Sequence, residues 1–128
     1  MEFDLMARAS NWENSADLAQ RLEGAGFSGM LVTEASQVPW MAITAAAMAA
    51  KKLEFSTGIA VAFPRSPMMS AQVAWELAAN TKGRFRLGLG SQVKAHVTRR
   101  YASVFDRPAP QMKDYLQAVR ACLKAFRR

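Results

Sequence analysis

Glu34 closes a run of β-formers, Met30-Leu31-Val32-Thr33, so its carboxylate stands where a strand gives way to a loop. Desolvated there and facing a pocket, a carboxylate can serve as a general acid or base. The same group could instead cap the following turn or pair with an arginine. His96 is the only histidine, too few for a histidine metal site. Together with its neighbour Arg99 it could contact a substrate or an anion, or it could face solvent. Gly88 and Gly90 share a strand phase and should point to one side. Without side chains they would admit a flat ring or another backbone at close range, or relieve crowding in an interior. Gly88-Leu89-Gly90-Ser91 follows a strand without opening a helix at once, so it is not a dinucleotide-binding fingerprint. Trp40 follows Pro39 and could line a pocket, whereas Trp75 lies in an apolar helical stretch and is expected in the core. Cys122, the single cysteine, excludes an internal disulfide and falls in an apolar stripe as a small core residue.

The elements that position these residues alternate in type. Strands are expected at Glu2–Met6, Gly29–Thr33, Leu53–Ala62 and Phe85–Gly90. Each is followed by a helix, at Ser15–Glu23, Pro39–Ala50, Pro67–Asn80 and Pro110–Phe126. Pro67 suits a first helical turn, and Asn80 and Gly83 supply stop signals. Strands joined through packed helices lie parallel and cross over right-handedly. The reading is an α/β chain of about four parallel β/α units over residues 1–128. It forms one partial barrel domain with a long irregular connection near 91–107. A parallel array gathers its strand C-termini on one face, and barrel enzymes carry their active sites there. An open array of this kind also leaves its first and fourth strands as edges, which invites pairing with another copy.

Composition is that of an ordinary globular chain, 51% apolar and 21% charged. The longest apolar run, Met41–Ala50, is interrupted by Thr44 and is too short to span a bilayer. The start, Met1-Glu2-Phe3-Asp4, carries no apolar signal core, so a cytoplasmic protein without membrane association is expected. Charge is uneven: residues 1–81 hold five basic and eight acidic side chains, and residues 82–128 hold twelve and two. A basic half can serve an anionic ligand, an acidic partner or nucleic acid. Without a recognition-helix, zinc-finger or RNA-binding aromatic motif, nucleic acid is the weaker of these readings.

The stretch Thr57-Gly58, then Pro64-Arg65-Ser66-Pro67, Gly83-Arg84-Phe85 and Gly88-Leu89-Gly90-Ser91 is similar to the middle of the bacterial luciferase-like monooxygenase superfamily. It most resembles the branch dependent on the deazaflavin coenzyme F-420. Gly26-Phe27-Ser28-Gly29 before Thr33-Glu34, and Met112-Lys113-Asp114-Tyr115-Leu116 after Arg107, agree with it. The resemblance implies the N-terminal half of a TIM-type (β/α)8 barrel, since a whole barrel takes about 250 residues. It also implies an oxidoreductase carrying out hydride transfer or monooxygenation on a small-molecule substrate, with coenzyme F-420 or FMN. By carry-over, a non-prolyl cis peptide would fall at Ala60–Val61 against the cofactor ring, with Gly88, Gly90 and Ser91 beside it. Glu34 would be the catalytic group, and Trp40, His96 and Arg99 the substrate or anion contacts. Many relatives follow the acid with a histidine where this chain has Ala35. Three readings stand: a truncated oxidoreductase completed by a C-terminal half or a second copy, a non-catalytic half-barrel that dimerises, and a small basic anion- or nucleic-acid-binding protein.

Overall fold

The computed structural model describes residues 1–127, which form two compact units. The first comprises Met1–Ala60 with Glu76–Gly88, and the second Val61–Trp75 with Leu89 onward.

In the first unit, β1 (Asp4–Arg8), β2 (Gly29–Thr33), β3 (Glu54–Thr57) and β5 (Phe85–Arg86) form one parallel sheet in that order. β4 (Ala60–Val61) lies between β3 and β5 in the chain but not in this sheet. Helix α1 (Trp12–Gly24) follows β1 and α2 (Pro39–Ala49) follows β2. α1 begins three residues before the expected start because Asn11 caps it, its side chain accepting from the Asn14 amide at 2.8 Å. α2 has no charged residue and opens on Pro39. The two helices pack together and against the sheet. Met30, Val32 and Phe55 from the strands are buried with Ala19, Leu22, Ala42, Ile43 and Ala46 from the helices. The period of two puts Met6, Leu31, Ser56 and Arg86 in a single row on the other face. Met6 in that row is 65% exposed. As expected, β1 and the fourth strand of the sheet are its edges.

The strands expected to be continuous over Leu53–Ala62 and Phe85–Gly90 are each broken in two. The first splits into β3 and β4, and the second into β5 and β6 (Leu89–Gly90). The last ladder bond of β3 runs from the Gly58 amide to the Val32 carbonyl at 2.8 Å, after which the chain turns to a new partner. A Cβ on Gly58 would lie 2.5 Å from the Leu31 side chain, which packs across the crossing and would have to shift to admit a larger residue. The cis peptide bond is Gly58–Ile59, not Ala60–Val61. At the expected position the chain runs extended as β4, the amides of Ala60 and Ala62 on either side of Val61 bonding Gly88 O and Gly90 O at 2.9 and 3.0 Å, the alternate spacing of a trans strand.

In the second unit, Ala62 N donates to Gly90 O at 3.0 Å where the β4 and β6 segments pair. Helix α3 (Pro67–Asn80) contributes its first part here and its last turn to the first unit. A π-helical turn, His96–Arg100, interrupts the connection expected to be irregular. Helix α4 (Pro108–Phe126) opens on Pro108, two residues before the expected Pro110. Val61, Ala62, Phe63, Ala71, Ala74, Val97, Tyr115 and Val119 are buried. The Tyr115 hydroxyl bonds the buried Ser70 hydroxyl at 2.6 Å and donates to the Ser66 carbonyl at 3.3 Å. Burial raises the Tyr115 pKa above its ordinary value. Trp75, expected in the core, is 40% exposed and lies edge-to-face on Phe126. The buried stripe of α3 runs through Ala71 and Ala74, and Trp75 falls one position, about 100° of helix, past it. Cys122 is half-buried on α4.

Candidate functional site

The parallel order of β1, β2 and β3 brings Arg8, Thr33 and Thr57 to one edge of the first unit. Glu34 follows directly and is buried, at 6% exposure. Its amide donates to the Ile59 carbonyl at 3.3 Å, which ties the end of β2 to the Gly58–Ile59–Ala60 segment. The buried residue Glu34 and the uncharged Gly58–Ile59–Ala60 bend are thus adjacent at the C-terminal edge. Ala60 is wholly buried beside them.

Gly88 stands opposite. The Thr57 hydroxyl donates to its carbonyl at 2.6 Å and accepts from its amide at 2.8 Å. A Cβ on Gly88 would collide with the Thr57 carbonyl. Of the close approaches expected of this glycine, the structure shows the approach of another backbone. Trp40 is half-buried in the first turn of α2, and its carbonyl accepts from Thr44 Oγ1 at 2.7 Å.

The remaining expected site residues belong to the second unit. The Val61 carbonyl accepts from Arg65 Nη1 at 2.8 Å, and Gly90 lies in the β6 pairing. Ser91 is half-buried, its hydroxyl donating to the Gln92 carbonyl at 3.2 Å. His96 and Arg99 are exposed on the π-helical turn. Glu34, Trp40, Ala60 and Gly88 are therefore grouped in one unit, and Val61, Gly90, Ser91, His96 and Arg99 in the other.

At the same edge of the first unit lies a cleft of about 410 Å³, lined by Ser10, Asn11, Trp12, Gln37, Val38, Met41 and Ala42. It sits where the loops after β1 and β2 enter α1 and α2. Trp12 and Met41 are 64% and 55% exposed there. No lining residue is charged, and its size and mixture of apolar walls with a few amides suit a small uncharged molecule. The cleft was not legible in the sequence. The only sequence signal was the aromatic directly after a helix cap, a common core pattern. The opposite edge of the sheet holds a crevice of about 40 Å³ that includes Asp4, Glu54 and Arg84. Arg84 is occupied structurally, donating to the carbonyls of Thr81, Ala50 and Leu53 at 2.9, 3.2 and 2.6 Å. Among the described residues no group of three or more His, Cys, Asp or Glu could hold a metal ion, and no helix is long and apolar enough to cross a membrane.

Comparison with known proteins accounts for this architecture. Uncharacterized proteins of Mycobacterium tuberculosis and Mycobacterium bovis are 41% identical over 112 residues, covering 88% of this chain and 33% of theirs. The chain thus spans about a third of the length of these relatives. Among solved structures, a monooxygenase from Streptomyces bottropensis matches with a TM-score of 0.83 at 20% identity, over 94% of this chain and 42% of that one. The coenzyme F-420-dependent tetrahydromethanopterin reductase of Methanopyrus kandleri matches with a TM-score of 0.78 at 19% identity, over 92% and 39%. The oxygenating constituent of 3,6-diketocamphane monooxygenase from Pseudomonas putida, in complex with FMN, matches with a TM-score of 0.70 at 20% identity, over 98% and 38%. The four parallel β/α units are those of half a (β/α)8 barrel. The family profile of the luciferase-like monooxygenases matches residues 2–127, and the chain belongs to that family.

Proposed function

We propose that this chain carries the ring-facing part of a flavin-type oxidoreductase site, with coenzyme F-420 as the cofactor and FMN as the alternative. The observation that carries the reading is the bond from the Glu34 amide to the Ile59 carbonyl, which holds the buried residue Glu34 beside the uncharged Gly58–Ile59 bend at the strand C-termini. Such a ledge suits the face of a flat ring: Gly58 has no side chain, and the half-buried Ile59 offers an uncharged apolar surface. The same edge of the first unit offers one cation, Arg8, so the phosphate of either cofactor would draw most of its grip from elsewhere. When bound, the cofactor supplies hydride transfer or oxygen activation, and the protein supplies orientation and electrostatics. Glu34 would exchange a proton with the substrate from its buried carboxyl, Trp40 would wall the substrate, and the uncharged cleft beside Trp12 would admit it. Ser91, Gly90 and Val61 would contribute further cofactor contacts, and His96 and Arg99 anion contacts. As a single chain it would bind the cofactor without full turnover.

A fluorescence titration with coenzyme F-420 and with FMN at physiological salt tests this. Saturable binding of one identifies the cofactor, and the absence of binding to either overturns the reading.

A second reading, a non-catalytic half-barrel that pairs with another copy, is favoured by one observation. The sheet has an open edge at β1 and an uncovered row beginning at the exposed Met6. Light scattering across a concentration series separates a dimer from a monomer.

A further inference from the structure

The twelve cations of the C-terminal stretch are not scattered evenly. Lys113, Arg120, Lys124 and Arg127 all lie on α4 or its cap and are all exposed. At 100° per residue they fall within an arc of about 60°, spread over about 21 Å of helix axis. Gln117 stands among them, also exposed. The buried residues of the helix, Tyr115 and Val119, lie on the opposite side. Asp114 is the only carboxylate on α4, and among the described residues none of the four cations has an ion-pair partner. The imbalance extends to the units: the second holds ten Lys and Arg against Asp106 and Asp114, whereas the first holds seven against eight acids.

A solvated helix face needs no such segregation, and four like charges on one stripe repel one another. An anionic partner removes that cost. We propose that this stripe docks on the phosphate backbone of nucleic acid, without reading its sequence.

Charge complementarity selects the partner. A duplex presents one negative charge per about 1.7 Å of axis, a continuous line that four cations spread over about 21 Å can follow at any register. An anionic membrane is the poorer fit, because an interfacial helix inserts its apolar face. Here the centre of that face, Tyr115 and Val119, is buried in the second unit, with Met112, Cys122 and Phe126 half-buried beside them. The stripe carries no exposed aromatic and a single amide, so it holds position on phosphates without specifying bases. The site is independent of the oxidoreductase reading.

The test is a fluorescence-anisotropy titration of the 128-residue chain with a short mixed-sequence DNA duplex, repeated across salt. Four phosphate contacts give a slope of log affinity against log salt near −3.6, a loss of about 150-fold between about 50 and about 200 mM. The variant Lys113→Gln/Arg120→Gln/Lys124→Gln/Arg127→Gln, its fold checked by circular dichroism, should lose binding at low salt and the steep slope. Lys113→Arg/Lys124→Arg should retain both, as should Lys51→Gln/Lys52→Gln in the first unit. A wild-type chain that fails to bind the duplex at low salt overturns the proposal. So does a quadruple variant that binds as wild type, or binding confined to phosphatidylserine vesicles.

Discussion

The Thr57 side chain bonds the backbone of Gly88 in both directions, donating to its carbonyl at 2.6 Å and accepting from its amide at 2.8 Å. A side chain thereby stands in for the ladder that β3 and its partner strand lose where both are broken. Thr57→Val keeps the shape and removes both bonds. The Gly88 carbonyl still accepts from Ala60, but its amide loses its partner. The expected cost is about 1–3 kcal/mol, measured by urea denaturation, with Thr57→Ser losing much less.

Gly88→Ala tests the same contact from the other side. The added methyl would be driven into the Thr57 carbonyl, backbone that cannot swing aside. Overpacking of this kind costs about 1–3 kcal/mol or more. Gly24→Ala, where an added Cβ meets nothing within 4 Å, serves as the comparison in the same unfolding assay and should not destabilise.

Glu23 makes stability depend on acid. Its carboxylate accepts the amides of Lys52 and Leu53 at 2.8 and 2.9 Å and that of Lys51 at 3.4 Å, joining the end of α1 to the start of β3. The Lys52 amide foremost, then that of Leu53, hold its pKa below the ordinary glutamate value. Because the folded value is depressed, the stabilisation is present above the unfolded value of about 4.3 and is lost as pH falls through the folded one. Glu23→Gln should lower the melting temperature at pH 7, and the gap to wild type should close in strong acid. An equal gap at both pH values would show that the charge contributes nothing.

Tyr115→Phe leaves the fully buried Ser70 hydroxyl without its 2.6 Å partner. The expected loss is about 1–3 kcal/mol in chemical denaturation. Because the Tyr115 pKa is raised, chiefly by burial, its contribution is complete below about pH 10 and declines as pH rises through the folded value. The alkaline loss of stability should therefore be shallower in the phenylalanine variant.

Trp12 separates ligand binding from folding. At 64% exposure it can be truncated with little effect on the core, so Trp12→Ala should change stability by no more than about 0.5 kcal/mol. An uncharged aromatic probe that occupies the cleft should quench tryptophan fluorescence in the wild type. That saturable quenching should vanish in the variant, and its persistence would move the probe elsewhere.

The alternation of strands and helices was legible because each element carries its own signal. Gly29–Thr33 is a short run of β-formers, Pro67–Asn80 has an apolar stripe between a proline and stop residues, and both keep their expected bounds. The place of Glu34 at a strand end was legible as well, since parallel order follows from helical crossovers and collects such ends on one edge; its burial was not. What the sequence could not disclose depends on groups distant in the chain. Thr57 and Gly88 are thirty-one positions apart, and no local pattern says that a hydroxyl will occupy the space beside a glycine. For the same reason the breaks in two strands, the exact place of the cis bond and the cleft between the starts of α1 and α2 were not legible in the sequence. Local sequence determined the order and type of the elements, while β1 begins two residues later than expected and α1 and α4 begin earlier. Tertiary packing decided where the strands break, what approaches each glycine, and which site residues share a unit, because those outcomes are set by close contacts between separate segments.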